Sequence, residues 1–357
     1  MRERDMQPDH LVTVADFQEA SRHAISEPAW DYITGGSGDE ITVRANTSVF
    51  EERRILPRML RETSSIDTRT TILGAESGKP FAIAPMALQR LFHPEGEIAT
   101  ARAAARNDIP FSLATLSSIE MAKVVEHGGQ FFFQLYWLRD RGLMAEMLAG
   151  AETFGCRAVI LTVDAPPLGH RLRDVRNGFR LPDDVYPANI VSEDDEAAES
   201  LRDSVDLTFD TSLNWDDLEW IKEHCSLPLV IKGLLHPDDA RAAVEHGADG
   251  IVVSNHGGRQ LDQAVTSLEV LPLIREAVGP DLELVLDSGV RSGRDVLLAL
   301  ARGADSVFIG RPALWGLAVA GADGVSQVLG ILEAELLDAM SLSGTRTIAE
   351  AKELAVW

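Results

Sequence analysis

Eight short apolar segments, separated by amphipathic stretches, constrain the fold of this chain more than any other feature. Each contains four to seven residues, mainly Val, Ile, Leu, Phe and Ala, and is bounded by Gly or polar residues. Such a run is typical of a strand buried on both faces of a parallel sheet. The predicted strands are 81–84, 109–115, 131–136, 158–163, 229–232, 250–254, 282–287 and 306–310.

The intervening stretches have the composition and spacing of helices. They are rich in Ala, Leu, Glu and Arg, with apolar residues three and four positions apart. The clearest are 97–107, 141–154, 238–246, 267–278 and 293–302. The phrases EHGADGIVV, ARGADSVFI and TFGCRAVIL each place a Gly between a helix end and a strand. Eight such units predict an α/β fold, a (β/α)₈ TIM barrel, with its active site at the carboxyl ends of the strands.

Two segments lie outside the repeating units. Residues 1–75 are predicted to form an N-terminal helical extension, with helices at 16–25 and 28–34, and residues 76–357 to form the barrel. The glycine cluster at 35–38 follows a predicted helix rather than a strand, which excludes a Rossmann dinucleotide loop. The acidic stretch 178–214 follows the fourth strand, and we expect it to be a long loop, partly mobile over the carboxyl-terminal face.

Composition narrows the function further. The net charge of −23 disfavours nucleic acid and anionic membranes as partners. The charged N-terminus lacks the apolar core of a secretory signal, and two cysteines are too few for a disulfide framework. We therefore expect a cytoplasmic protein. No metal site is expected.

The predicted strand ends carry residues suited to chemistry on anions. His256 follows the sixth strand and can exchange a proton near neutral pH, and Arg259, three residues later, can grip a carboxylate with paired hydrogen bonds. Gly289 with Arg291 and Gly310 with Arg311 follow the seventh and eighth strands, where barrels commonly bind phosphate. Structural histidines and ordinary glycine turns are the alternatives for single residues, but the combination favours a site.

These motifs also occur in a known family. SNHGGRQLD, LTVD, FFQLY, IKG, LDSGVRSG and IGRP, taken together, resemble the FMN-dependent α-hydroxy acid oxidases and dehydrogenases, which include glycolate, lactate and mandelate oxidisers. The resemblance extends over nearly the whole chain. It implies that 76–357 is an FMN-binding barrel within a single FMN hydroxy acid dehydrogenase domain.

The resemblance assigns roles to residues around the substrate. It implies that His256 is the catalytic base and that the Asp164 carboxylate stabilises its imidazolium form. Arg259 and Arg171 would bind the substrate carboxylate. Tyr32 and Tyr136 would hydrogen-bond the substrate carboxylate and hydroxyl.

A second set would hold the flavin. Lys232 would place its charge near the N1–C2=O edge of the ring, although in a flavin-free barrel it could instead form a Schiff base. The remaining implied cofactor residues are Pro85, Met86, Ala87, Ser112, Gln134, Thr162, Ser254, Asp287, Gly289, Arg291, Gly310 and Arg311.

Shorter segments of the sequence indicate which branch of the family, and so which substrate and acceptor, the resemblance implies. QRLFHPEGE, LYWLRDR and HRLRDVRNGFRLP look most like the branch that oxidises mandelate and 4-hydroxymandelate, and 111–115 lacks the tryptophan that narrows the glycolate pocket. The expectation is an (S)-2-hydroxy-acid oxidase that uses O₂, releases H₂O₂ and forms a homo-oligomer such as a tetramer. Alternatives are a glycolate- or lactate-type enzyme, a dehydrogenase with another acceptor, a flavin-free aldolase or isomerase, and a biosynthetic flavoenzyme for an amine or peptide-derived substrate.

Overall fold

The chain folds into a closed parallel barrel, which a computed structural model describes for residues 10–165, 167–190 and 208–357. Eight parallel strands close into a ring in which each strand pairs with its neighbours along the chain and the last pairs with the first. This arrangement confirms the (β/α)₈ barrel predicted from the apolar segments.

Each predicted strand is present. Seven have shorter bounds than predicted, and the strand predicted at 229–232 extends two residues further, to Leu234. The barrel strands are β3 (Phe81–Ile83), β4 (Phe111–Ala114), β5 (Phe131–Leu135), β6 (Val159–Thr162), β7 (Leu229–Leu234), β8 (Gly250–Val253), β9 (Glu283–Leu286) and β10 (Ser306–Ile309). Side chains alternate between the barrel interior and the surrounding helices, which is why the strands read as continuous apolar runs.

Thirteen α-helices lie in the described part of the chain. They are α1 (Val14–Ala24), α2 (Glu27–Thr34), α3 (Ile41–Glu51), α4 (Gly96–Arg106), α5 (Met121–Val125), α6 (Arg141–Thr153), α7 (Leu172–Asn177), α8 (Asp217–His224), α9 (Pro237–Glu245), α10 (Ser267–Val278), α11 (Gly293–Ala301), α12 (Arg311–Ser343) and α13 (Ile348–Lys352). The helices predicted between strands correspond to α4, α6, α9, α10 and α11.

A hairpin covers the amino-terminal end of the barrel. Strands β1 (Thr70–Ile72) and β2 (Ala75–Ser77) pair antiparallel. Ile72 and Leu73 are buried in one cluster with inward-facing residues such as Phe132 and Phe308. The interior of this end is therefore filled by side chains.

The N-terminal extension packs directly on the barrel. Helices α1 and α2 match the two predicted helices, whereas α3 was not predicted. Helix α1 contacts α12, α2 contacts α7, and α3 contacts the 3₁₀ turn His256–Gly258. The extension thus reaches the same end of the barrel as His256.

Helix α12 is long and apolar for a reason that its packing explains. Its 33 residues meet the length and hydropathy of a membrane span. Its backbone leaves helical geometry at Ala320 and Gly321, and it packs on α1, α4 and α11. The apolar residues of α12 therefore belong to the core of the barrel fold.

The acidic loop predicted at 178–214 is only partly described. Its first part lies along the barrel rim, where the Ala188 amide donates to the Ser117 carbonyl. Its last part returns through a bridge between Leu138 and Phe209. Residues 191–207 lie outside the described residues, so the mobility predicted for part of this loop stays a prediction.

Candidate active site

A deep cavity opens at the carboxyl-terminal end of the barrel. It encloses about 1210 Å³ of empty space, which includes the open solvent at its mouth. Of the residues singled out from the sequence, it is lined by Tyr32, Pro85, Met86, Ala87, Gln134, Tyr136, Arg171, Lys232, His256, Arg259, Asp287, Gly289, Arg291, Gly310 and Arg311. Strand ends that are far apart in the sequence thus meet in one chamber.

His256 lies at the centre of this chamber in a constrained backbone conformation. Its φ of 57° lies in the left-handed region, which a non-glycine residue occupies only when its surroundings hold it there. Its amide donates to Ser254 Oγ at 3.0 Å, and the Asn255 side chain accepts from the Gly258 amide at 3.1 Å. These bonds turn the imidazole into the cavity.

Asp164, at the end of β6, fixes the imidazole. Its Oδ1 lies 2.8 Å from His256 Nδ1. Gly233 makes this approach possible, because its φ is +114° and a Cβ there would lie 2.6 Å from Asp164 Cγ. The bond assigns the proton to Nδ1 and leaves Nε2 as the basic nitrogen.

Burial and neighbouring charges together set the protonation states of His256 and Asp164. Burial lowers the pKa of His256 below its ordinary range, and the Lys232 cation lowers it further, against the opposing effect of Asp164. Burial alone would raise the pKa of Asp164, but the attraction of His256 and Lys232 holds that pKa below its ordinary value. At neutral pH the pair is therefore a neutral imidazole beside a carboxylate, which is the state required of a base.

Lys232 is held as a buried cation on the floor of the same cavity. Its Nζ donates to Ser254 Oγ at 3.1 Å and lies 3.5 Å from Asp287 Oδ2. Burial opposes the charge, but Asp287 and Asp164 raise the pKa of Lys232 above its ordinary value. A permanently protonated amine is a poor nucleophile, which argues against the Schiff-base role.

Four arginines face the cavity, although the protein is strongly acidic overall. Burial lowers the pKa of Arg171 and of Arg291 to about 10, and that of Arg311 also falls below its ordinary range. All three remain cations at neutral pH, and Arg171 and Arg311 are further affected by repulsion from Arg259. Such a concentration of positive charge requires anions as ligands.

The arginines differ in how they are held. Arg259 donates to the carbonyls of Tyr32 and Gly35 at 2.5 and 3.0 Å, and its guanidinium carbon lies 4.8 Å from the Tyr32 ring centre. Arg311 donates to three backbone carbonyls, those of Ile33, Gly35 and Gly257, at 2.8–3.0 Å. The two side chains thereby secure the carboxyl end of α2, and each Nη atom of Arg311 keeps a second N–H for a ligand.

Several buried polar atoms lack a partner among the described residues. They include Gln134 Nε2, Arg171 Nε and Ser112 Oγ. Orphaned donors of this kind are costly unless a ligand satisfies them. Gln134 borders the cavity beside Pro85 and Met86, so its amide suits the polar edge of a flavin ring.

A second group of cavity residues suits a phosphate. Helix α12 begins at Arg311, directly after Gly310, so the positive end of its dipole lies beside these residues. Pro312 has no N–H, and the Ala313 amide donates to the Gly310 carbonyl at 2.9 Å. A Cβ at Gly310 would meet nothing closer than Met86 Sδ at 3.8 Å, which leaves that amide accessible. Gly289 serves another purpose, because a Cβ there would collide with the Asn46 carbonyl at 1.9 Å. The residues present therefore fit the FMN that the resemblance implies.

Three predicted cofactor residues do not border the cavity. Ser112, Thr162 and Ser254 are almost fully buried. Ser254 instead bonds Lys232 and the His256 amide. In the structure Ser254 thus supports its neighbours.

Sequence reasoning overlooked the apolar wall opposite His256. Ala114, Leu116, Leu168 and Phe209 line this side of the cavity. Phe209 also packs edge-on against Tyr136, with ring centres 4.8 Å apart. A lone aromatic after a long acidic stretch gave no periodic signal that would have identified it.

Comparison with known proteins extends these observations to nearly the whole chain. The sequence profile described as FMN-dependent dehydrogenase matches residues 21–357. The 4-hydroxymandelate oxidase of Amycolatopsis orientalis is 44% identical over 349 residues, spanning 96% of this chain and 97% of that enzyme. The L-lactate oxidase of a Nostoc species is 46% identical over 344 residues, spanning 93% and 94%. A solved structure of mandelate oxidase with (S)-4-hydroxymandelic acid has a TM-score of 0.93 and 43% identity, over 97% of this chain and 99% of that one.

Proposed function

Because the chain belongs to the FMN-dependent dehydrogenase family, we propose that it oxidises an α-hydroxy acid to the α-keto acid. One observation carries the proposal. A neutral, carboxylate-bound His256 faces the same cavity as Arg171 and Arg259, and Arg291 and Arg311 line that cavity as well. The cavity therefore offers a base, a carboxylate site and a phosphate site in one chamber.

The substrate would be held by its carboxylate and activated by the imidazole. Arg171 and Arg259 bind the carboxylate, and the hydroxyl groups of Tyr32 and Tyr136 add hydrogen bonds. Burial and the nearby Asp164 charge raise the pKa of Tyr136, so this phenol stays a hydrogen-bond donor. Nε2 of His256 accepts the substrate proton, and Asp164 stabilises the resulting imidazolium.

The cofactor would lie between the β3 end and the start of α12. Pro85, Met86 and Ala87 would contact the ring, and Gln134 and Lys232 would bond its polar atoms. Asp287 also lines the cavity and would bind the cofactor, and Arg291, Gly310 and Arg311 would hold its phosphate. The cofactor roles of Ser112, Thr162, Ser254 and Gly289 stay predictions, because the first three do not border the cavity and Gly289 packs against the Asn46 carbonyl. FMN, when bound, takes two electrons from the substrate carbon and passes them to an external acceptor.

The apolar wall favours an aromatic side chain on the substrate. Ala114 is small, and Leu116, Leu168 and Phe209 supply apolar surface opposite His256. Mandelate or 4-hydroxymandelate therefore fits better than glycolate, which would leave this surface exposed to water. The 4-hydroxymandelate oxidase relative supports this choice, whereas the similar L-lactate oxidase makes lactate the alternative substrate.

Dioxygen is the acceptor that the oxidase relatives support. Two electrons and two protons from the hydroxy acid reduce O₂ to H₂O₂, so the reaction balances without another reductant. A dehydrogenase with a different acceptor is the alternative. An amine substrate is less suitable, because a cation would enter a cavity lined by four arginines.

We also propose a cytoplasmic homo-oligomer, such as a tetramer.

The proposed division at residue 75 falls within the β1–β2 hairpin, so the extension is better tested by a truncation that ends before Thr70, which removes Tyr32 with α1–α3 and keeps the hairpin. If the extension is part of the site, such a truncated chain should fold and lose substrate binding.

Anaerobic flavin bleaching tests the proposal directly. Purified enzyme should be yellow, and (S)-mandelate and 4-hydroxymandelate should bleach its absorbance faster than L-lactate or glycolate. His256→Ala should retain FMN but lose bleaching. Colourless protein, or full-rate bleaching by His256→Ala, would refute the assignment. Hydrogen peroxide released in air would identify the oxidase, and its absence alongside rapid dye reduction would identify a dehydrogenase.

A further inference from the structure

Arg173, on the short helix α7, joins this helix to the N-terminal extension. Its Nη2 lies 2.6 Å from Glu40 Oε2, and its Nη1 lies 3.4 Å from Asp31 Oδ1 and from Thr34 Oγ1. Asp31 and Thr34 belong to α2, and Glu40 precedes α3. One guanidinium therefore connects three points of the extension to the segment that follows β6.

Other contacts reinforce the same junction. Asn177 Nδ2 donates to Asp31 Oδ2 at 3.0 Å. The Phe179 ring stacks on Tyr32 with ring centres 4.9 Å apart. These contacts hold the carboxyl end of α7 against α2, while Arg173 holds its start, two residues after Arg171. Arg171 and Tyr32 line the same cavity.

Helix α7 depends on such contacts because it has little stability of its own. It contains six residues, none of them buried, and no side chain caps its amino-terminal end. A helix this short is not stable in isolation. Arg171, which immediately precedes it, is repelled by Arg259 across the cavity. Polar contacts from α2 must therefore hold Arg171 against that repulsion.

We infer that Arg173 is a positioning residue, which ties α7 to α2 and so holds Arg171 where it can bind the substrate carboxylate. The inference rests on the proposed function, because it assumes a carboxylate ligand between Arg171 and Arg259. Arg173 itself would not touch the substrate, since its guanidinium is directed to Glu40, Asp31 and Thr34.

Benzoate binding to the FMN-loaded enzyme provides a test that does not depend on turnover. Benzoate carries the carboxylate and ring but no hydroxyl to oxidise, and calorimetry measures its Kd. Arg173→Met should weaken benzoate binding roughly three- to tenfold and raise KM for mandelate by a similar factor. Its kcat should change by less than about twofold, because the lost interaction affects ground state and transition state alike.

Arg176→Met is the matched control. Arg176 lies on the same helix but is exposed, so its replacement should leave the Kd for benzoate unchanged. Arg173→Lys keeps one charged contact with Glu40 and should recover part of the affinity. It also provides a second variant if the methionine protein does not fold.

A double-mutant cycle separates positioning from general stability. In an Arg171→Met background, adding Arg173→Met should change the Kd by less than about twofold, because the residue that Arg173 positions is already gone. Fully multiplicative effects, or equal binding by Arg173→Met and wild type, would overturn the inference. If wild-type enzyme binds neither benzoate nor any hydroxy acid, the proposed function itself fails.

Discussion

Replacement of Asp164 by Asn probes the charge that supports His256. In one orientation the Asn amide oxygen accepts the Nδ1 proton and preserves the tautomer, whereas in the flipped orientation the amide nitrogen favours the tautomer with its proton on Nε2. Both orientations remove a negative charge that is buried against the ring, at an Oδ1–Nδ1 distance of 2.8 Å. The change therefore removes electrostatic support for the protonated base, and the flipped amide would slow the reaction further.

The size of the effect follows from the geometry. With charge centres about 4 Å apart and an effective dielectric constant of about 20, the attraction between imidazolium and carboxylate is about 4 kcal/mol. That attraction exists only once His256 has taken the substrate proton. Because each 1.36 kcal/mol is a factor of ten, losing it should slow substrate-dependent flavin reduction roughly 10³-fold.

Stopped-flow bleaching at saturating mandelate measures this rate without interference from reoxidation. FMN content and the Kd for benzoate provide the controls, and both should stay close to wild type because Arg171 and Arg259 are unchanged. A variant that bleaches within tenfold of the wild-type rate would show that the carboxylate does not stabilise a protonated His256.

Three further predictions concern the backbone at Gly233, the protonation of His256 and the effect of Glu283 on the pH dependence of stability. Gly233→Ala should displace Asp164, because the new Cβ would lie 2.6 Å from the Asp164 Cγ. It should slow bleaching far more than the control Gly128→Ala, because Gly128 also has a positive φ but no atom lies within 4 Å of an added Cβ. The bleaching rate should stay level through neutral pH and fall only on the acid side of the ordinary imidazole pKa of about 6.5, since burial lowers the pKa of His256; a fall beginning well above it would contradict this. Burial raises the pKa of Glu283 from 4.5 to about 7, so the folded state loses stability as pH rises through that window. Glu283→Gln should therefore raise Tm at about pH 8 while changing little at about pH 5, and equal shifts at both would refute the assignment.

The barrel could be predicted because each strand is specified locally. Segments such as 250–254 combine β-branched residues with glycine and polar boundaries, and their burial on both faces leaves no polar alternation. The hairpin at Thr70–Ser77 was missed because each of its strands has only three residues. Helix α12 was missed because it is buried on most sides, so its pattern lacks the polar stripe of a surface helix.

The candidate site was predictable where chemistry and strand ends coincide. Lys232 lies near the end of β7, and Asp164 and His256 follow β6 and β8 within three residues. Parallel strands bring such ends together. Arg173 and Phe209 could not be found this way. Their roles depend on contacts with Asp31, 142 positions away, and with Tyr136, which no local pattern encodes.

The β1–β2 hairpin closes one end of the barrel and so limits how small molecules can reach the cavity. Ile72 and Leu73 fill the amino-terminal end of the barrel. Among the described residues, the carboxyl-terminal mouth of the cavity is then the route that the substrate, the product and the electron acceptor of the proposed reaction would share. Because the keto acid and O₂ of the proposed reaction would share this mouth, an excess of the keto acid should slow reoxidation of the flavin. A barrel closed at its amino-terminal end would therefore couple product release to reoxidation of the flavin.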